Sequence, residues 1–204
     1  PTVAISNAQA EIRGVVGLLE RVVGSVAKPF ISEGSLKDIE DEDEDFESGL
    51  ENRMKKIEFL NNEISSYLIK INNQDLTKNQ SAEIFNLVSI INNINSIKSS
   101  VDLRLHDLII KKDQLESGRS DVLATEIESY HTKLVKQIKR LGKFFDKYDQ
   151  NKIDKILTKS KKYKDLEEKY RVEHIKRSNS GQGSDKEQLI YTDLMDMLKE
   201  ISIF

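Results

Sequence analysis

Residues 167–204, EEKYRVEHIKRSNSGQGSDKEQLIYTDLMDMLKEISIF, hold the most informative pattern in the chain. A helix end rich in basic residues is followed by a Gly- and Ser-rich loop at 178–184 and then by a new amphipathic segment. The apolar residues of that segment recur at steps of three and four, the period of a helix: Ile190, Leu194, Met197 and Ile201. The stretch therefore predicts two helices joined by a flexible turn.

The composition of the whole chain is typical of a helical protein. Of the 204 residues, 37% are hydrophobic and 33% are charged, and prolines occur only at Pro1 and Pro29, so few positions interrupt a helix. The chain has no cysteine, which excludes disulfides, thiolate metal sites and a cysteine nucleophile and makes the cytosol the default compartment. No window reaches the roughly 18 consecutive apolar residues that indicate a membrane span, and a signal-peptide pattern is absent.

Five further segments show apolar residues at helical spacing. The first carries Ile5, Ala8, Ile12, Val15, Leu19, Val22 and Val26, and it is predicted to end near residue 32, before a turn with Ser35 as the next N-cap. The second predicted helix carries Met54, Ile57, Leu60, Ile64, Leu68 and Ile71, and the third carries Ile84, Leu87, Ile91, Ile94, Val101, Leu105 and Leu108. The fourth carries Ile127, Leu134, Ile138, Leu141, Phe145 and Tyr148, and the fifth carries Ile153, Ile156, Tyr163, Leu166 and Tyr170.

Six long helices with short connections predict an all-α fold of antiparallel neighbours, either one larger bundle or two three-helix bundles. A weak internal repeat favours two bundles, at residues 1–117 and 118–204. With an offset of 104 residues, apolar positions of the third helix coincide with apolar positions of the sixth: Phe85, Ile90, Ile91, Ile94 and Ile97 fall on Leu189, Leu194, Met195, Leu198 and Ile201.

Charge is distributed unevenly. Residues 38–47, DIEDEDEDFE, hold eight carboxylates, whereas residues 133–164 hold twelve Lys or Arg against three Asp. Solvated helix faces explain both runs, because the acidic run lacks a glycine and the spacing of a calcium loop, and the basic run lacks a nucleic-acid motif. We expect no nucleic acid as a partner. An anionic membrane surface is the second reading of the basic run.

Residues with catalytic or metal-binding potential are scattered. Asp102 with His106, and Glu128 with His131, have the one-turn spacing of half a metal site, but neither pair has a third ligand visible in the sequence. The glycines of the loop at 178–184 follow a helix, and no Lys-Ser/Thr completes a phosphate-binding loop. We expect that the protein is not an enzyme and has no cofactor and no catalytic residue. The sequence does not place a nucleophile, a base and an orienting group in a known catalytic arrangement.

The final helices resemble those of a known family. The residues that show the resemblance are Tyr170-Arg171, His174-Ile175, Arg177, the Gly/Ser loop, Tyr191-x-Asp193-Leu194-Met195 and Leu198-Lys199-x-Ile201, together with the IINNINSI run at 90–97. This order is similar to that of the PhoU-like cytoplasmic domain of bacterial Na+/phosphate cotransporter family proteins. Weaker similarity extends over nearly the whole chain.

The resemblance implies two pseudo-repeated three-helix bundles and a membrane transporter domain before Pro1, so we expect a fragment of a longer membrane protein on the cytoplasmic side of the bacterial inner membrane. PhoU proteins hold iron or zinc clusters through acidic residues on the third and sixth helices. Here the corresponding positions are Asn95, Ser99, Lys199 and Ile203. A cation beside Lys199 would cost about 4 kcal/mol per unit charge at about 4 Å, so we predict no such cluster.

The sequence therefore predicts a regulatory or assembly domain of a sodium-dependent phosphate cotransporter-like protein that acts through helix-bundle contacts. Its partners would be the transporter domain of the same polypeptide and, in a homodimer, a second copy of itself. One alternative is a stand-alone PhoU-like adaptor that regulates phosphate uptake or signalling. Another is a helical anion-binding module in which Lys98, Arg104 and Lys199 hold phosphate.

Overall fold

The computed structural model describes residues 1–31, 46–115, 120–145 and 150–203. These residues form six long helices and a single additional turn: α1 (Thr2–Ser25), α2 (Lys28–Ile31), α3 (Phe46–Asn72), α4 (Lys78–Asp113), α5 (Asp121–Phe144), α6 (Gln150–Asn179) and α7 (Asp185–Ile203). The described residues contain no strand. The all-α prediction is confirmed, and each of the six segments with apolar periodicity forms one long helix. The predicted Ser35 cap and most of the acidic run, residues 38–45, lie outside the described residues.

The helix boundaries follow local chemistry. The prediction that the first helix continues to about residue 32 was wrong, because α1 ends at Ser25 and only the turn α2 follows. Pro29 has no N–H to continue the backbone ladder, and the Ser25 hydroxyl donates back to the Val22 carbonyl at 2.8 Å. The α6–α7 connection is the predicted turn, with Gly181 at φ 72° and Gly183 at φ 85°, a left-handed region in which glycine meets no Cβ penalty.

Contacts between helices show the relative directions of two helix pairs. His131 of α5 contacts the Val23 carbonyl of α1 at 2.6 Å, and a Cβ at Gly142 would lie 3.6 Å from Val16. Because higher numbers on α5 meet lower numbers on α1, these two helices are antiparallel. The α4–α7 pair is antiparallel for the same reason. Lys111 pairs with Asp193 at 3.2 Å and Arg104 pairs with Glu200 at 2.6 Å.

The core is continuous across the predicted boundary at 117/118. Helices α1, α3 and α4 contact one another, as do α5, α6 and α7, and the two sets meet through α1 against α5 and α4 against α7. Leu194, Met197 and Leu198 of α7 are fully buried. Burial of each such side chain contributes about 1.5 to 3 kcal/mol relative to exposure. Packing between the sets is therefore a substantial part of the stability.

The predicted apolar faces are buried in α1, α4 and α7, and in α3 apart from the half-buried Leu60. Two helices differ. In α5, Leu141 is 43% exposed, and Tyr148 lies outside the described residues. In α6 all five predicted residues are only half-buried, and the buried positions are Glu167 and His174. This helix packs mainly against α5 and α7, and three of its predicted apolar residues, Tyr163, Leu166 and Tyr170, pack against the core while only partly buried.

No helix among the described residues is long and apolar enough to cross a membrane.

Candidate functional site

The four positions that the PhoU resemblance equates with metal ligands have different surroundings. Asn95 accepts a hydrogen bond from buried Asn61 of α3 at 2.7 Å, and Ser99 is exposed. Lys199 lies 3.2 Å from Glu167 of α6, and Ile203 is 70% exposed. Over the ranges that the structure describes, no group of three or more His, Asp or Glu side chains could hold a metal ion.

The two pairs with metal-ligand spacing are occupied by other contacts. Asp102 pairs with Lys98 at 2.6 Å, and the His106 Nδ1 lies 3.9 Å from a Glu47 carboxylate oxygen. His131 is buried, and its Nε2 donates to the Val23 carbonyl, the acceptor at 2.6 Å. Burial lowers the pKa of His131 from its ordinary value, against the opposing effects of that hydrogen bond and of Glu128. A neutral, backbone-bonded imidazole therefore has a structural role here.

The three predicted anion contacts are each neutralised separately. Lys98 holds Glu58 at 3.1 Å in addition to Asp102, and Arg104 holds Glu200 at 2.6 Å. Lys199 has Glu167 as its partner. An anion would have to displace a carboxylate from each cation, so this arrangement does not favour the helical anion-binding module.

The sequence interpretation missed a buried carboxylate at the centre of the α6–α7 contact. Glu167 is 1% exposed, and one of its oxygens accepts from the Arg171 Nε at 2.9 Å and Nη2 at 2.6 Å. Arg171 also reaches Asp196 of α7 at 2.5 Å, and these carboxylates raise the pKa of the Arg171 guanidinium. The Lys199 Nζ attracts the second Glu167 oxygen but is out of line for a hydrogen bond. Glu167 is thus held between two cations.

A second buried carboxylate joins α5, α6 and α7. Arg177 binds both oxygens of Glu126, at 3.0 and 2.7 Å, in the bidentate geometry that favours strong pairing. The Tyr191 hydroxyl donates to the same carboxylate at 2.7 Å, and burial, together with Glu126, raises the pKa of Tyr191. The His174 ring packs on Tyr191 with centroids 4.3 Å apart, and burial, with the charge of Arg177, lowers the pKa of His174.

One pattern in the sequence predicts both of these buried carboxylates, an acidic residue on a core-facing stripe of a helix. Glu126 lies on the same helical stripe as Leu123 and Tyr130, and Glu167 lies four residues after Tyr163 on the half-buried stripe of α6. An acid on a core-facing stripe needs a buried cation as partner. Each cluster joins side chains from different helices, Glu167 with Asp196 through Arg171 and Glu126 with Arg177 and Tyr191, and so holds those helices together.

A different surface carries unneutralised charge. Seven lysines of α5 and α6, which we call the basic segment, make no ion pair with any residue that the structure describes: Lys136, Lys143, Lys155, Lys159, Lys161, Lys162 and Lys164. All are exposed except the half-buried Lys159. The two helices are side by side here, because Gln137 donates to Ser160 at 2.8 Å. The basic segment is therefore an exposed surface of positive charge on this helix pair.

Fold and sites together define a class: an all-helical protein with ion pairs buried between its helices and a basic surface on one helix pair. Comparison with known proteins adds no family to that class, since no family model, no curated protein and no solved structure matches the chain.

Proposed function

We propose that this chain is a non-enzymatic regulatory or assembly domain of a sodium-dependent phosphate cotransporter-like membrane protein, on the cytoplasmic side of the bacterial inner membrane. The family assignment rests on the sequence resemblance of residues 167–204 and 90–97. The docking role rests on one structural observation, the unpaired lysines of the basic segment. Elsewhere in the described residues, several cations such as Lys98, Arg104 and Lys111 hold carboxylates of the same chain, although some exposed lysines of α3 and α4 are also unpaired.

As part of this proposal, helices α1, α3 and α4 form one three-helix bundle, and α5, α6 and α7 form its pseudo-repeat. Three of the pairs related by the offset of 104 residues are buried on both sides, which supports the repeat: Ile91 with Met195, Ile94 with Leu198 and Ile97 with Ile201. A signal from the transporter would act by changing how the two bundles pack, since packed interfaces tend to adopt discrete arrangements. A ligand can shift such an equilibrium only by binding the two arrangements unequally.

The basic segment selects an acidic partner. A charge pair at about 4 Å contributes only about 1 kcal/mol in water and about 4 kcal/mol near a protein surface, so several lysines must act together. Exposed charges are screened over about 8 Å at physiological salt. Association through the basic segment therefore weakens as the salt concentration rises.

The test compares two triple variants that remove equal charge. The first is Lys155→Gln with Lys161→Gln and Lys162→Gln in the basic segment. The matched control is Lys56→Gln with Lys70→Gln and Lys78→Gln, which removes three lysines that are also exposed and make no ion pair with a described residue. Binding to vesicles that contain the proposed membrane part is measured by co-sedimentation at 50 and 500 mM NaCl, at which charges are screened over about 14 Å and about 4 Å.

We expect the basic-segment variant to bind several-fold more weakly at low salt and the control to bind like the unmodified chain. Salt-insensitive binding, or equal loss in both variants, would contradict electrostatic docking. Equal binding to protein-free anionic vesicles would assign the basic segment to the lipid surface and would overturn the transporter contact.

The stand-alone adaptor is separated from this proposal by the gene itself. Several apolar stretches of about 20 residues encoded upstream of Pro1 would support the tethered domain. An upstream region without them would favour the adaptor.

A further inference from the structure

An apolar cleft lies between α1, α4, α5, α6 and α7. Helix α7 packs against α4 in its last described turn, where Glu200 pairs with Arg104 and Ser100. The cleft beside this turn has a volume of about 400 Å³. Its walls come from α1, α4, α5, α6 and α7 and are mainly aliphatic, with Ile94, Ile97, Leu134, Ile138, Ile156 and Ile201 among them.

The cleft is accessible from solvent. Leu141 and Ile203, which line it, are 43% and 70% exposed. Large aliphatic side chains around an open concavity are costly to hydrate and favour an apolar occupant. The volume lies within the about 300 to 1,000 Å³ that is usual for small-molecule sites.

One charge, that of Arg140, lies next to two polar residues of the cleft wall. The Arg140 Nη1 donates to the Gln137 Oε1 at 2.8 Å and to the Tyr163 hydroxyl at 3.3 Å, and both of these acceptors belong to residues that line the cleft. Arg140 is half-buried and makes no ion pair with a carboxylate of the described residues. In contrast, Arg171 and Arg177 each bind at least one carboxylate directly.

From this geometry we infer that the cleft binds a single-chain anionic amphiphile of the fatty-acid class, with the alkyl chain along the aliphatic walls and the carboxylate on Arg140. The planar guanidinium matches a carboxylate through two parallel hydrogen bonds. The alkyl chain of the ligand covers the exposed apolar surface of Leu141 and Ile203. This inference does not depend on the proposed function.

The test is isothermal titration of the full chain with decanoate and dodecanoate below their micellar concentrations. We expect saturable binding of one molecule per chain. Two more methylenes should improve the affinity about 16-fold, since each buried methylene contributes about fourfold.

Two variants locate the ligand. Arg140→Gln should weaken decanoate binding at least about tenfold, because a hydrogen bond to a charged group is lost, and should leave binding of uncharged 1-decanol unchanged. Lys136→Gln, which removes an equal charge from the exposed side of α5, is the matched control and should bind decanoate normally. Leu141→Trp places bulk at the mouth of the cleft, where the side chain is already partly exposed, and should block both ligands while helicity and Tm are retained.

Three outcomes would overturn the inference. They are absence of dodecanoate binding, non-saturating binding of many molecules per chain, and equal effects of Arg140→Gln and Lys136→Gln. In the first case, binding of anionic phospholipid vesicles would identify a lipid surface as the ligand.

Discussion

Among single residues, Glu167 depends most on its partners. It is 1% exposed and sits between Arg171, which binds one oxygen, and Lys199, which lies 3.2 Å from the other. A buried ion pair adds little net stability compared with an apolar pair, but removing one partner leaves an uncompensated charge. The same reasoning applies to Glu126 with Arg177. Such residues specify which helix faces meet.

Replacing Arg171 should destabilise the protein far more than replacing a surface cation on the same helix. We expect Arg171→Gln to lower the free energy of unfolding by about 2 to 3 kcal/mol, because the Glu167 carboxylate stays buried with only Lys199 nearby. The control is Lys169→Gln, whose pair with Glu173 at 3.7 Å is exposed and should contribute less than about 0.5 kcal/mol. Urea unfolding measures both. Equal losses in the two variants would show that the buried pair has no special role.

His131 should make stability depend on pH below neutrality. Its pKa is lowered by burial from an ordinary value of 6.5, so near pH 6 the unfolded chain binds more protons than the folded chain. Stability is therefore complete above about pH 6.5 and falls as the pH drops toward the folded-state pKa. His174, whose pKa is also lowered by burial, acts in the same direction.

We expect His131→Gln to remove about 1 kcal/mol of the stability difference between pH 7 and pH 5.5, as measured by urea unfolding at both values. His106→Gln, at an exposed position, controls for the loss of an imidazole and should keep the pH dependence of the unmodified chain. An unchanged pH dependence in His131→Gln would refute the role of that side chain.

At the scale of elements, the helix ends differ in how well they are capped. Thr77 begins α4 with a complete capping box, in which its hydroxyl accepts from the Gln80 N–H at 3.3 Å and the Gln80 side chain accepts from the Thr77 N–H at 3.0 Å. Ser120 begins α5 without a side-chain cap, and its backbone N–H donates to Glu187 of α7 instead. Two residues with similar cap propensity therefore have different roles.

The Thr77→Ala variant should lose about 1 kcal/mol of stability, the usual effect of removing a cap hydroxyl. Ser120→Ala should lose less than about 0.5 kcal/mol, since only the backbone of Ser120 is used. Thermal unfolding of both variants measures the difference. If Ser120→Ala lost as much as Thr77→Ala, the hydroxyl of Ser120 would be acting as a cap after all.

At the scale of the whole molecule, α1 decides how strongly the two sets of helices are coupled. Val15 and Val16 are both buried, as are Val22 and Val23, so α1 is covered on more than one face. It packs against α3 and α4 on one side and against α5 on the other. Because α1 is covered on both sides, separating the two sets of helices would expose apolar surface of α1 and of the set from which it is separated.

We therefore expect one cooperative unfolding transition rather than separate melting of residues 1–117 and 118–204. Helicity reports on both sets of helices, whereas five of the six tyrosines lie after residue 117, so tyrosine fluorescence reports on the second set. Urea curves from far-UV circular dichroism and tyrosine fluorescence should coincide, as two-state unfolding requires. A tyrosine transition displaced from the helicity transition would show two independent domains.

The sequence by itself determined the fold class, the six long helices and most of the buried faces of α1, α3, α4 and α7. Those features depend on contacts three and four residues apart, which a single chain records as periodicity. It also predicted the α6–α7 turn from its glycines.

Only the tertiary structure decided which cations meet which acids and where a cleft remains. Glu126 meets Arg177 across 51 positions, and Arg104 meets Glu200 across 96, so these partners depend on the register between helices. The pairs of Lys98 with Glu58, of Arg104 with Glu200 and of Lys199 with Glu167 have the same cause. The cleft is lined by residues of α1, α4, α5, α6 and α7, an arrangement of five helices that no local pattern contains.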